Sequence, residues 1–325
     1  MSVVLNAVLP VFLLASLGYL LSRIGFIDAQ FSRGLNRLVY WIGLPSLLYH
    51  KIAHQELDWS STAAVLYSFF AALGATILVA YLVRYLIKVA PKSTGEFVQA
   101  SYRGNLGYIG LPIVLYAVSE STLERTSSLA AITLAPCAIV FNIIAVVLMV
   151  VHQPDSHQQR RGYIFALITN PLIIGGTLGV LAAVFHVRLP LFVDRSIEGL
   201  SNMSVPIALL GLGSSFGVFG IQDVNRNFVL TAAATTVLKV LISPLLGIIF
   251  SLWFQLDFVE ARIVTVYLAS PTAIASHVIV GQFQGDEKLA ASSIVTATLA
   301  SLFVLPIALW VTSESMWNQM SSIVG

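Results

Sequence analysis

Apolar runs of bilayer-spanning length recur from one end of the chain to the other, and that removes most folds from consideration. A hydrocarbon core about 30 Å thick takes roughly 20 apolar residues to cross as a helix. Charged and turn residues divide the sequence into ten such runs, at 3–23, 34–54, 62–88, 95–118, 124–152, 162–186, 193–218, 227–254, 260–284 and 288–313. The longest polar stretch, "HQPDSHQQRRG" at 152–162, separates the fifth run from the sixth. Only 10% of the residues are charged, against roughly 25% in soluble domains, too few to coat a water-facing surface. The reading is an all-α integral membrane protein with the lipid bilayer as its solvent. A net charge of +2, spread along the chain, offers no surface for nucleic acid. Cys137 is the only cysteine, so no intramolecular disulfide can form, and it reads as a structural thiol. The opening "MSVVLNAVLPVFLL" lacks a basic n-region and a small-residue cleavage site, and reads as a retained first span.

Basic residues orient the spans. With the N-terminus outside, ten of the 17 lysines and arginines fall at cytoplasmic ends and five at outer ends. That bias predicts both termini outside and an even number of spans. Proline and glycine positions also repeat. Pro10 and Pro171, Gly18 and Gly179, and Pro45 and Pro206 are each 161 residues apart, and Pro112 and Pro271 are 159 apart. Five spans per half is an odd number, so the second half must be inverted relative to the first. The division is 1–152 for the first repeat, 153–161 for a short cytoplasmic linker and 162–325 for the second repeat.

Two spans break the rules for helices. The fourth contains "RGNLGYIGLP" at 103–112. Gly104, Gly107 and Gly110 weaken a helix, and Pro112 removes a backbone donor. An unwound stretch at 105–111 and a half-helix restarting near Pro112 are predicted. The alternative is that the glycines form a close-packing face for a neighbouring helix, a reading that Pro112 weakens. The ninth span contains "YLASPTAIAS", where a half-helix is predicted to begin at Pro271. Unwound backbone at membrane depth must lie within protein or beside a water-filled cavity. Two such breaks crossing near the midplane would aim two positive half-helix ends at one place, a site for an anion. The candidate substrate-binding residues are Asn105, Gly107, Gly110, Pro112 and Ile113 at the first break, and Pro271, Thr272 and Ser276 at the second. Asn105 either contacts the ligand or satisfies freed backbone groups.

Few ionisable residues lie inside spans. Lys239 lies deepest in apolar sequence, and its candidate role is to compensate the carbonyl ends of the broken helices. Arg103 reads as snorkelling to the cytoplasmic interface. Glu96, Glu198 and Glu260 fall near span ends, so no carboxylate-based sodium or proton site is visible. His277 is either a structural donor or a carrier of a coupling proton. No metal site and no organic cofactor are expected, and a coupling ion, H⁺ or Na⁺, stays open.

At these residues the chain resembles the auxin efflux carrier family in its short bacterial form. "RGNLGYIGLPIVLY" is similar to that family's fourth-helix signature and "ASPTAIASHVIVGQF" to its ninth, with Ser276 where bacterial relatives often have asparagine. "VLPVFLLASLGYLLSRIGFID", "LKVLISPLL" and "VTATLASLFVLPIAL" resemble its opening, lysine-bearing and last helices. The resemblance implies ten helices in two inverted five-helix repeats, with crossed broken helices 4 and 9. It implies a scaffold of spans 1, 2, 6 and 7, a transport domain of the remainder, and elevator-type alternating access. It also implies small carboxylates such as malonate, malate or an auxin-like acid as substrates, and a homodimer through the scaffold. Some plant members pair an acid in span three with the span-eight lysine; span three here has none.

The leading function is therefore a secondary transporter of a small organic anion in a bacterial inner membrane, and not an enzyme. One alternative is a non-transporting sensor of the same fold. Another is an intramembrane serine hydrolase using Ser214 or Ser215 of "GLGSSFG" with His277 as base, for which no orienting acid is apparent.

Overall fold

The computed structural model describes residues 2–53, 59–118, 120–152, 171–218 and 226–324. The proposed linker at 153–161 and the start of the sixth apolar run lie outside the described residues. Among the described residues there is no strand, and the elements are helical throughout. They are α1 (Ser2–Arg23), α2 (Ala29–Leu38), α3 (Leu44–Ala53), α4 (Trp59–Leu86), α5 (Thr94–Tyr102), α6 (Leu111–Tyr116), α7 (Leu123–His152) and α8 (Pro171–Val184). They continue with α9 (Leu191–Val218), α10 (Arg226–Val237), α11 (Ser243–Trp253), α12 (Phe258–Ala269), α13 (Ala275–Gln282), α14 (Glu287–Val311) and α15 (Glu314–Val324).

Among the described residues, four helical stretches are long and apolar enough to cross a bilayer: Trp59–Leu86, Leu123–His152, Val229–Trp253 and Glu287–Val311. Leu9–Arg23, Leu106–Tyr116 and Ile173–Val184 are shorter apolar helices. Large apolar side chains such as Leu78, Leu82, Phe303 and Ile307 stand exposed on the outer faces, a surface suited to acyl chains rather than water. The chain is an integral, multi-pass membrane protein.

Aspartates start the helices where the chain turns. Asp28 Oδ1 accepts from Phe31 N at 2.7 Å, and Asp286 Oδ1 from Leu289 N at 3.0 Å. Asp257 and Glu260 form a reciprocal capping box at α12. Arg125 joins the same end, meeting Asp257 at 2.6 Å and Glu260 at 3.1 Å.

Three wide π-turns interrupt the spans, at Val39–Gly43, Leu106–Gly110 and Leu238–Ile242. Each ends two residues before a proline: Pro45, Pro112 and Pro244. A proline ring clashes with the carbonyl four residues back and leaves it unpaired. A wider turn just before it moves that carbonyl aside and keeps the helix continuous. The prolines therefore loosen the helices without ending them.

Backbones approach closely where α1 packs on α9. A Cβ on Gly213 would overlap the backbone of Ala15, and one on Gly18 the backbone of Leu210. Small residues allow that approach in lipid, where dispersion between close backbones replaces the hydrophobic effect as the packing force. The C-terminal helix α15 was not anticipated from hydropathy. It is tied to the bundle by buried Trp317, whose Nε1 donates to Leu256 O at 2.8 Å.

Candidate functional site

The fourth-span helix α5 ends at Arg103, whose backbone turns extended. Gly104 then forms an antiparallel bridge with Thr272 of the other break. Asn105 N donates to Pro271 O at 2.7 Å, and Ala273 N donates to Arg103 O at 3.0 Å. Each break thus satisfies polar groups that the other has freed, which is what a buried backbone demands. Gly104 is needed for this approach: a Cβ there would sit 2.9 Å from Tyr267 O and 3.3 Å from Lys239 Nζ.

The restarts differ from the predicted positions. The first break is extended only over 103–105, and helical turns resume at Leu106, not near Pro112. Asn105 is the reason. Its Oδ1 accepts from Tyr108 N at 3.3 Å, and its carbonyl accepts from Ile109 N and Gly110 N. It is a helix N-cap, while the π-turn accommodates Pro112. Gly107 and Gly110 are therefore helical. Gly110 packs closely, since a Cβ there would meet Ser270 Oγ at 2.7 Å. The second break runs from Ser270 to Ile274, and α13 begins at Ala275, four residues after Pro271. Pro271 belongs to the extended pair and opens no helix.

The two restarting ends meet at one cavity of about 450 Å³, within the range of small-molecule sites. Gly104 to Tyr108 and Ala273 to Ala275 line it, so the first turn after Asn105 and the segment leading into α13 face the same space. Of the sequence candidates, Asn105 and Gly107 line this cavity. Gly110, Pro112 and Ile113 are buried outside its lining, as are Pro271, Thr272 and Ser276. Thr272 Oγ1 donates to Ala100 O at 2.9 Å and so caps the end of α5. Ser276 Oγ is buried with no hydrogen-bond partner. His277, half-buried on α13, is also outside the lining.

Lys239 is fully buried, and its Nζ donates to Leu268 O at 2.5 Å in the last turn of α12. A cation at a helix carbonyl end is favourably placed. Amide ends thus face the cavity, and a lysine sits at a carbonyl end behind the crossing.

The sequence reading missed several cavity residues. Arg103 does not snorkel: it is 5% exposed, and its Nη2 donates to Asn142 Oδ1 of α7 at 2.5 Å. Arg33, Asn36, Tyr40, Tyr108 and Asn142 also line the space. Glu96 is buried as well, with Gln99 Nε2 at 3.3 Å from its carboxylate and 3.3 Å from Ser276 O. The available signal was Glu96 in the first turn of the broken span and Arg103 at the end of its first half-helix, beside the glycine of the break.

Ser214 is buried, hydrogen-bonded to Ser32 Oγ at 2.7 Å and donating to Gly211 O at 2.9 Å. It joins α2 to α9 and offers no free nucleophile. The Ser215 side chain lies outside the described residues.

Comparison with known proteins agrees with a transport architecture. A family described as "Membrane transport protein" matches residues 3–310. An uncharacterized transporter of Methanocaldococcus jannaschii is 26% identical, over 94% of this chain and 97% of its own. An uncharacterized transporter of Methanothermobacter thermautotrophicus is 27% identical, over 93% and 96%. A Rhizobium meliloti protein named "Putative malonate transporter" is 23% identical, over 93% of each chain. With crossed, broken helices around a cavity and a family match over nearly its whole length, this chain belongs to the membrane transport protein family, that of the auxin efflux carriers, and is a transporter and not an enzyme.

Proposed function

We propose that this protein is a secondary carrier of a small organic carboxylate, bound where the two broken helices cross. One observation carries the reading: the first turn of the half-helix after Asn105 and the segment Ala273 to Ala275 that leads into α13 line one cavity. The first amides of a helix have no intrahelical acceptor, and together with the dipole they favour an anion. Asn105 holds the amide end of Leu106–Tyr116 in place and faces the bound carboxylate. Lys239 offsets the carbonyl end behind the crossing, so no cofactor is required there. The Rhizobium relative's name supports a short carboxylate such as malonate.

The same reading extends to the whole chain. Two inverted five-helix repeats, 1–152 and 162–325, give ten membrane helices. Helices 1, 2, 6 and 7 act as a scaffold and dimer interface, while the rest moves in an elevator-type cycle. The close α1–α9 packing supports a rigid scaffold. Both termini face the outside of a bacterial inner membrane, supported by the basic-residue bias. H⁺ or Na⁺ serves as the coupling ion, with His277 beside the second break as the candidate proton carrier.

The test is uptake of labelled malonate by proteoliposomes holding the purified chain. Accumulation above protein-free vesicles is expected, with a loss of about tenfold or more in apparent affinity for Asn105→Ala, equivalent to about 1.4 kcal/mol. Binding without flux would instead identify a sensor. Uptake unaffected by Asn105→Ala would remove the crossing as the site.

A further inference from the structure

The cavity contains a second anion-seeking group besides the half-helix ends. Arg103 projects into its wall with Nη2 tied to Asn142 Oδ1, while Nη1 is buried and has no hydrogen-bond partner. Among the described residues it forms no ion pair, whereas Arg125 pairs with Asp257 and Glu260. Glu96 lies two helical turns earlier on α5, and its carboxylate is hydrogen-bonded to Gln99 instead. Asn142 is neutral, so it orients the guanidinium without neutralising it.

A buried guanidinium with no carboxylate in direct contact is costly, and the cost is relieved when a carboxylate or phosphate arrives. An ionised ligand with one carboxylate can satisfy the half-helix amides or the guanidinium. A ligand with two can satisfy both. Arg33, exposed at the rim of the same cavity, adds field of the same sign on the approach. The cavity's volume of about 450 Å³ leaves room for a short diacid.

We infer that Arg103 binds a second carboxylate of the substrate and makes this carrier selective for short dicarboxylates over monocarboxylates. The inference rests on the carrier reading and assigns a residue to its specificity. Beyond the donor held by Asn142, the planar guanidinium keeps Nη1 for a carboxylate in a fixed plane, a geometry that lysine does not reproduce. Asn142 is a positioning residue, since it acts by fixing the plane of Arg103.

The experiment compares malonate with monomethyl malonate, which keeps the shape and loses one charge. Affinities are measured calorimetrically on the purified full chain in lipid nanodiscs. The unmodified protein is expected to prefer malonate by about tenfold or more, the scale of one charge-assisted pair. Arg103→Gln should collapse that preference by weakening malonate while leaving the monoester nearly unchanged. Arg103→Lys should retain part of it. Asn105→Ala should weaken both ligands alike. A thermal melt of each variant reports folding, and Arg103→Lys keeps the comparison usable if Arg103→Gln unfolds. Equal losses for both ligands in the arginine variants, or undiminished malonate preference, would overturn the assignment to Arg103 alone. An unmodified chain that bound neither acid would overturn the carrier reading and this assignment together.

Discussion

The two breaks have the same backbone plan and opposite side-chain duties. Each ends one half-helix, runs extended through the bridge between Gly104 and Thr272, and restarts another half-helix beside the cavity. The first break turns functional side chains into that space: Arg103, Asn105 and Tyr108. The second contributes Ala273, Ile274 and Ala275, whose side chains carry no polar group. Its polar residues face inward instead, with Thr272 bonded to Ala100 O and Ser276 buried. Pseudo-symmetry of the backbone therefore does not imply symmetry of recognition. In the proposed carrier, one break reads the ligand, while the other supplies backbone and bracing.

The largest effect that tests this asymmetry belongs to the shared backbone. Gly104→Ala would put a methyl 2.9 Å from Tyr267 O and 3.3 Å from Lys239 Nζ. The first neighbour is backbone in the last helical turn before the second break and cannot rotate away. Overpacking of this kind costs about 1–3 kcal/mol, and both breaks should separate because they share hydrogen bonds. A lowered melting temperature with loss of carboxylate binding is expected. A variant that melted and bound like the parent would mean that the two breaks are not coupled through this bridge.

A smaller effect separates bracing from recognition. Thr272→Val keeps the shape and removes the bond to Ala100 O. The expected loss is about 1 kcal/mol of stability, read by thermal or denaturant unfolding in detergent. Carboxylate affinity should fall far less than in Asn105→Ala, because Thr272 lies outside the cavity lining. An affinity loss as large as that of Asn105→Ala would make the second break a reader as well.

Much of this arrangement was legible from residue type and spacing. Pro112 and Pro271, 159 apart, marked both breaks, and Lys239 stood out as an ionisable group in apolar sequence. The exact restarts were not legible, because proline competes with other devices for the same job. Asn105 capped its half-helix seven residues before Pro112, and a π-turn absorbed the proline. Pro271 went into an extended segment, its carbonyl accepting from Asn105 N, 166 residues away. Arg103 was misread for a related reason. A basic residue near a span end snorkels if the helix continues to the interface, but this helix ends at the arginine and turns it toward Asn142 on another span. Local pattern carries the breaks; which side chains face the cavity depends on neighbours distant in sequence.

The smallest effect is also the sharpest probe of the asymmetry. Ser276 lies in the first turn of the half-helix after the second break, where the sequence pattern suggests a ligand contact. Its Oγ is buried without a hydrogen-bond partner, and the residue is not part of the cavity lining. Removing a buried, unsatisfied hydroxyl relieves a desolvation cost and opens only a small void, so the two effects nearly cancel. Ser276→Ala should therefore change stability by no more than about 0.5–1 kcal/mol, with stabilisation the favoured sign. Carboxylate affinity and flux should be unchanged. The matched measurement is binding of malonate to Ser276→Ala and Asn105→Ala under one set of conditions. Equal losses would show that both breaks place side chains on the ligand, and the division of labour between them would fail. A loss confined to Asn105→Ala would leave recognition with the first break, and the second would act through its backbone alone.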